Sequence, residues 1–151
     1  MKAMRSDRGT STVEFALVIP VLILVLVAGF DFTRALLAYT TISNGSREGV
    51  RYAVLHPTAD RSAIESEVER RTKPLSASAL NVIVQYSNDG GATYTDWPTS
   101  GPPASRPPVS LTVRVEVRYS WSAASSITSE LLSSMTQSPY LLSTSFMDMR
   151  R

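Results

Sequence analysis

The run from Phe15 to Phe30, FALVIPVLILVLVAGF, holds no charged side chain and none that hydrogen-bonds. At about 1.5 Å per helical residue it covers roughly 24 Å, and Val13, Glu14, Asp31 and Phe32 extend it to the ~30 Å of a bilayer's hydrocarbon. Residues 10–32 are therefore expected to form a transmembrane helix. Beyond it Phe32, Leu36, Tyr39 and Ile42 recur three or four apart, a helical period. The first firm stop is His56-Pro57, since the residue before a proline disfavours helical backbone. The spacing thus predicts one helix to Leu55, with residues 33–55 continuing it outside the membrane. Thr41, Gly45, Gly49 and Ala53, spaced by four, place small side chains on one face and would let another helix or a sheet approach closely. The alternative is a frayed or kinked helix around Ser43 to Ser46, given the poor propensity of Gly and Asn. Pro20 removes one hydrogen bond inside the span, which membrane helices tolerate, and is read as a determinant of shape and packing register.

The pattern then changes. Asp60 to Arg71 reads as a short helix with Ala63, Ile64 and Val68 on one side. Leu80 to Tyr86 is a β-rich run, and Val109 to Trp121 alternates strictly, with Val109, Leu111, Val113, Val115, Val117, Tyr119 and Trp121 facing one way. Its other face, Ser110, Thr112, Arg114, Glu116, Arg118 and Ser120, is expected to be wet, and the N-terminal helix to cover the apolar one. Between the two strands, Ser87-Asn88-Asp89-Gly90-Gly91-Ala92-Thr93-Tyr94 predicts a tight hairpin turn and resembles a single Asp box. Pro98 to Pro108 predicts an exposed, stiffened connection. Ile127 to Met135 predicts a short helix and Tyr140 to Met149 a closing strand. The expected fold class is α+β: a long N-terminal helix packed on a small antiparallel sheet, with residues 56–151 as the head.

Composition narrows the function. A chain of 151 residues has room for one modest core and an appendage. With no cysteine and one histidine, an ordinary structural zinc site and a cysteine nucleophile are excluded, and no glycine-rich phosphate loop is present. His56, beside Pro57, suits a cap or surface role, so a Ser-His-Asp arrangement has little to stand on. The expectation is a non-enzyme without cofactors or metal. Fifteen basic against 13 acidic residues give a net charge of +2, unclustered, which argues against nucleic acid as a partner. Lys2, Arg5 and Arg8 against Asp7 precede the apolar run, whereas Arg34 and Asp31 follow it, so the positive-inside rule puts the N-terminus in the cytoplasm and the head outside. A secretory signal cut near Val27-Ala28-Gly29 is the competing reading, weakened because the helical period runs on past the cut.

Glu14 stands at the head of the apolar run, where a carboxylate is costly. One account is local: Ser11-Thr12-Val13-Glu14 is a capping box, with Glu14 reaching back to Ser11 at the positive end of the helix. A second comes from Gly9-Thr10-Ser11-Thr12-Val13-Glu14-Phe15 after a basic leader, residues 1–9. Gly, four residues, Glu and an aromatic ahead of an apolar helix resembles the processing site of type IV pilin-like proteins. The stretch from Val13 to Val54 resembles the signature of the TadE-like family of the Tad (Flp) pilus system, through Glu14, Phe15, Ala16, Pro20, Asp31-Phe32, Arg34, Ala35 and Arg47-Glu48-Gly49-Val50-Arg51-Tyr52-Ala53. It departs from the family at Asp31, where Glu is frequent, and at Thr33, where Gly is frequent. The resemblance implies a minor pilin or pseudopilin supporting pilus assembly and adhesion, single-pass in the cytoplasmic membrane or carried into the pilus. Its implied partners are the membrane, a prepilin peptidase cutting between Gly9 and Thr10, other pilin subunits and the Tad assembly machinery. Such cleavage leaves an α-ammonium on Thr10, and when these helices pack together a neighbour's Thr10 ammonium is expected to pair with Glu14 and fix the axial register. The alternatives are a membrane-anchored binding module and a secreted protein.

Overall fold

The computed structural model describes residues 8–99, 111–124, 129–130, 134 and 140–149. Its first element, α1 (Arg8–Leu55), is one unbroken helix of 48 residues with Pro20 inside it. Ser43 to Ser46 stays helical, so the frayed alternative does not form; Ser46 is held by partners described below. The helix begins upstream of Ser11, which therefore lies inside it and is not its cap. The capping-box account of Glu14 fails for that reason.

The face that α1 turns to the rest of the molecule differs from the apolar stripe named above. Phe32, Leu36 and Tyr39 are 67%, 53% and 47% exposed, and of that stripe only Ile42 is buried. The buried positions are Asp31, Ala38, Ile42, Gly45, Ser46, Gly49, Val50 and Ala53. The period is helical as expected, but its phase is set by the small residues, because only they let neighbouring elements come near the helix axis.

A loop leads to α2 (Arg61–Arg71), whose Ile64 and Val68 are fully buried. Asp60 is its N-cap residue and Thr72 its C-cap, the Thr72 hydroxyl donating to the Val68 carbonyl at 3.0 Å. The sheet follows: β1 (Leu80–Ser87), β2 (Thr95–Asp96), β3 (Leu111–Ser120) and β4 (Tyr140–Met149), all antiparallel, in the order β2-β1-β3-β4. The closing strand forms where the sequence placed it. The tight turn does not lead directly to the long strand; it is closed by β2, a strand of two residues that pairs Gln85 with Asp96 and Tyr86 with Thr95. So short an element has no period to read. Glycine is required in the turn, since Gly90 and Gly91 have φ of 72° and 97°.

Both helices lie on one face of the sheet. Ile42, Val50 and Ala53 of α1, Ile64 and Val68 of α2, Val84, Trp97, and Val113, Val115 and Val117 form one contiguous core. The opposite face of β3 is less wet than its polar residues imply. Glu116 is 3% and Thr112 7% exposed. Tyr94 from the turn folds over this face, with the Arg114 guanidinium 4.9 Å from its ring centre and Phe146 6.2 Å away. Glu116 accepts from Arg114 and Arg118, and Thr112 donates to Asp148. Burial acts to raise the Glu116 carboxyl, but the two guanidiniums outweigh it and hold it below the usual glutamate range. The helix expected over residues 127–135 lies mostly outside the described residues, of which Ser129, Glu130 and Ser134 are helical. The proline-rich connection also lies outside them from residue 100 onward, as do Val109 and Ser110.

Candidate assembly segment and its junction with the head

The N-terminal part of α1 buries no residue among those described. Val13, Phe15, Leu17 and Leu26 are 60–70% exposed, and Phe30 reaches 72%. Among the described residues, α1 is the one helix long and apolar enough to cross a membrane. An exposed apolar rod of this size is unstable in water and calls for lipid or for other helices around it. Glu14 lies on this rod, exposed, with no ion pair to any described residue. Gly9 and Thr10 are helical, and Phe15 and Pro20 are exposed along the same rod. The structure thus sets the candidate processing and register residues together on the free end, far from the small-residue face.

Where the rod meets the head, contacts begin abruptly. Asp31 is 4% exposed, and its Oδ1 accepts from the Ala124 amide at 3.0 Å, with Arg34 Nη1 at 3.6 Å. The acid therefore ties the end of the apolar run to the segment after β3. Further on, the Ser46 hydroxyl lies 3.1 Å from Ser143 Oγ and 2.8 Å from Ser145 Oγ of β4, and reaches the Ser43 carbonyl at 3.0 Å. Three small hydroxyls allow helix and strand to meet closely while each finds a partner. Sequence reading did not single out Ser46 or Trp97. The available signals were a serine inside the helical stretch after Ser43 and a tryptophan in a polar loop.

The small-residue face does bring elements together. A Cβ at Gly45 would lie 2.7 Å from Thr72 Cγ2, and one at Gly49 would lie 2.5 Å from Val68 Cγ2 and 3.3 Å from Val115 Cγ1. Gly49 is thus wedged between α2 and β3. Ala53 is fully buried, and half-buried Thr41 donates its hydroxyl to the Leu37 carbonyl at 2.8 Å. Elsewhere in a helix, Gly→Ala gains up to about 1 kcal/mol. Here the stiff, buried valines cannot swing away, and overpacking costs about 1–3 kcal/mol. Gly49→Ala is expected to lower the melting temperature of the detergent-solubilised protein; a rise would show that the contact relaxes freely.

Other singled-out residues take structural positions. His56 is exposed, stacked on Tyr52 at 4.3 Å, with Nδ1 3.1 Å from the Tyr52 carbonyl oxygen. Arg47 and Arg51 are exposed, while Glu48 meets Arg71 of α2 at 3.1 Å. In the turn, Asp89 accepts from the Ser87 and Thr93 hydroxyls and from the amides of Ala92 and Thr93, and the Gly91 amide donates to Ser87 Oγ. These bonds, Ser87's first, hold the Asp89 carboxyl well below its ordinary range. A depressed native pKa stabilises above the unfolded value of roughly 4 and is lost as pH falls below it. The melting-temperature gap between the native protein and Asp89→Ala should therefore be largest near neutrality and shrink below about pH 4. A gap independent of pH would mean that the bonds to the carboxylate do not stabilise the turn.

A free apolar rod continuous with a small α+β head defines a class of proteins built on a single N-terminal helix suited to membrane anchoring. Within that class, residues 9–51 match the family model of TadE-like proteins, the family whose signature the N-terminal third resembles. The matched segment takes in the rod and the small-residue face as far as Arg51. Neither the curated proteins nor the solved structures compared with the chain gave a match.

Proposed function

We propose that this protein is a TadE-like minor pilin or pseudopilin, a non-enzymatic, membrane-anchored subunit that supports assembly of a Tad/Flp pilus. The reading is carried by one observation: the segment that matches the TadE-like family begins with an unburied apolar rod bearing a carboxylate with no ion-pair partner among the described residues. On this reading a prepilin peptidase removes residues 1–9 and leaves an α-ammonium on Thr10. Thr10 and Glu14 stand one helical turn apart, so the carboxylate lies beside its own chain's ammonium and within reach of that of an adjacent rod. In an apolar bundle the pairing neutralises both charges and fixes the axial offset between subunits. The N-terminus is cytoplasmic and the head extracytoplasmic, following the basic flank.

Mass spectrometry of the mature protein, expressed together with a prepilin peptidase, tests this. The expected N-terminus is Thr10. An intact Met1 would leave an uncleaved anchor, and a start near Phe30 would make the chain a secreted protein.

A further inference from the structure

The sheet has two unlike edges. β2, at one, is two residues long, and its Asp96 is occupied by the Gln85 amide at 2.9 Å. β4, at the other, runs for ten residues, pairs with β3 throughout and has no neighbour on its outer side among the described residues. Sheet edges in soluble proteins are usually blunted by Lys, Pro, bulges or brevity. Tyr140 to Met149 contains no Lys, Arg or Pro, and its single charge, Asp148, is engaged by Thr112. Tyr140, Leu142, Phe146 and Met147 remain 41–56% exposed.

What fits such an edge is defined by its backbone. A row of unpaired amides and carbonyls is satisfied by an extended strand and by nothing helical. The side chains add a pattern: Leu141-Leu142-Ser143-Thr144-Ser145-Phe146-Met147 has the same order of chemical classes from either end, two apolar, three hydroxyl, two apolar. An antiparallel strand of similar order centred on Thr144 would set apolar residues against Leu142 and Phe146 and small or hydroxyl ones against the centre, matched cross-strand pairs. A second anchored copy paired antiparallel cannot supply it. Two β4 strands pair antiparallel about a two-fold axis perpendicular to the sheet, which reverses every direction lying in the sheet plane. Since α1 packs along the sheet face, the two rods would leave in opposite directions and could not share one membrane.

We propose that β4 is an acceptor edge for an extended strand from a different subunit, one with apolar residues flanking a small, hydroxyl-rich centre. The proposal rests on the membrane-anchored reading only where it excludes a second copy.

A synthetic peptide with the sequence of residues 140–148 carries no anchor and serves as the probe. Titrated onto the full-length protein in detergent, it should bind saturably and slow hydrogen exchange at β4 amides. Doubling the change Leu142→Glu with Phe146→Glu should weaken binding by about ten-fold or more. Both positions are exposed, and the new carboxylates face Arg118 and Arg114 across the β3 register, so the fold should hold, as circular dichroism would check. The same peptide N-methylated at alternate residues should fail to bind. Absence of saturable binding, or equal binding of the methylated peptide, would overturn the acceptor edge. So would a disulfide-linked homodimer of Thr144→Cys in native membranes, since it would show that a second copy fills the edge. Peptide binding by a chain that fractionates away from membranes would support the edge while refuting the anchor.

Discussion

Replacing Trp97 by alanine should cost the head about 3–5 kcal/mol, the range found when a large buried aromatic is truncated. Trp97 is 1% exposed and is the largest fully buried side chain. Its indole meets Tyr86 edge-on at 6.2 Å, its Nε1 donates to the Ala59 carbonyl at 3.1 Å, and its backbone amide donates to Val84 at 2.9 Å. One residue therefore closes the core at the β2 edge and pins the loop between α1 and α2. Domains of this size are stable by only about 5–15 kcal/mol, so the loss is a large share of the total. Trp97→Phe keeps an aromatic ring but leaves the Ala59 carbonyl unpaired, for an expected loss of about 1–3 kcal/mol. Denaturant unfolding of the detergent-solubilised protein, read by the fluorescence of Trp121, measures both. A loss under about 1 kcal/mol for Trp97→Ala would mean that the site collapses without leaving a cavity.

On the proposed pilin reading, Glu14→Gln should leave cleavage after Gly9 intact and abolish most incorporation of the mature protein into pili. Glutamine has the shape of glutamate without its charge, so a Thr10 ammonium in an apolar bundle would lose its counterion. Breaking a buried pair from one side costs about 3–5 kcal/mol, equivalent to a factor of roughly a hundred to a few thousand in association. The fraction of the protein recovered in sheared filaments, against that retained in the membrane, gives the result. Unchanged incorporation of a correctly cut Glu14→Gln protein would remove the charge pair from the assembly mechanism.

Much of this molecule is legible from residue order because its signals are periodic. The uninterrupted apolar run gives α1, strict alternation gives β3, and a Pro-bounded apolar segment gives β4. The stop at His56-Pro57 gives the end of the helix to the residue. What periodicity does not carry is phase and tertiary cover. Phe32, Leu36 and Tyr39 have the spacing of a buried stripe, yet the sheet chose the small-residue face one position round, through Gly49 and Ser46. Glu116 alternates as a solvent-facing residue and is buried because Tyr94, distant in sequence, folds over its face while Arg114 and Arg118, two residues to either side, close on its carboxylate. Ser11 reads as a helix cap because the apolar run starts after it, whereas the helix itself starts earlier. Of the candidate site, Gly9, Thr10, Glu14 and Phe15 were named from a motif, whereas Asp31's tie to Ala124 depends on a contact no spacing reveals.

The uninterrupted course of α1 has a mechanical consequence. At about 1.5 Å per residue its 48 residues make a shaft of roughly 72 Å, with no joint between the part fit for lipid and the part wedged under the sheet. The head therefore cannot swivel on a tether. Its tilt and azimuth follow those of the shaft, and a pull on the head passes down the shaft as axial load on the helix.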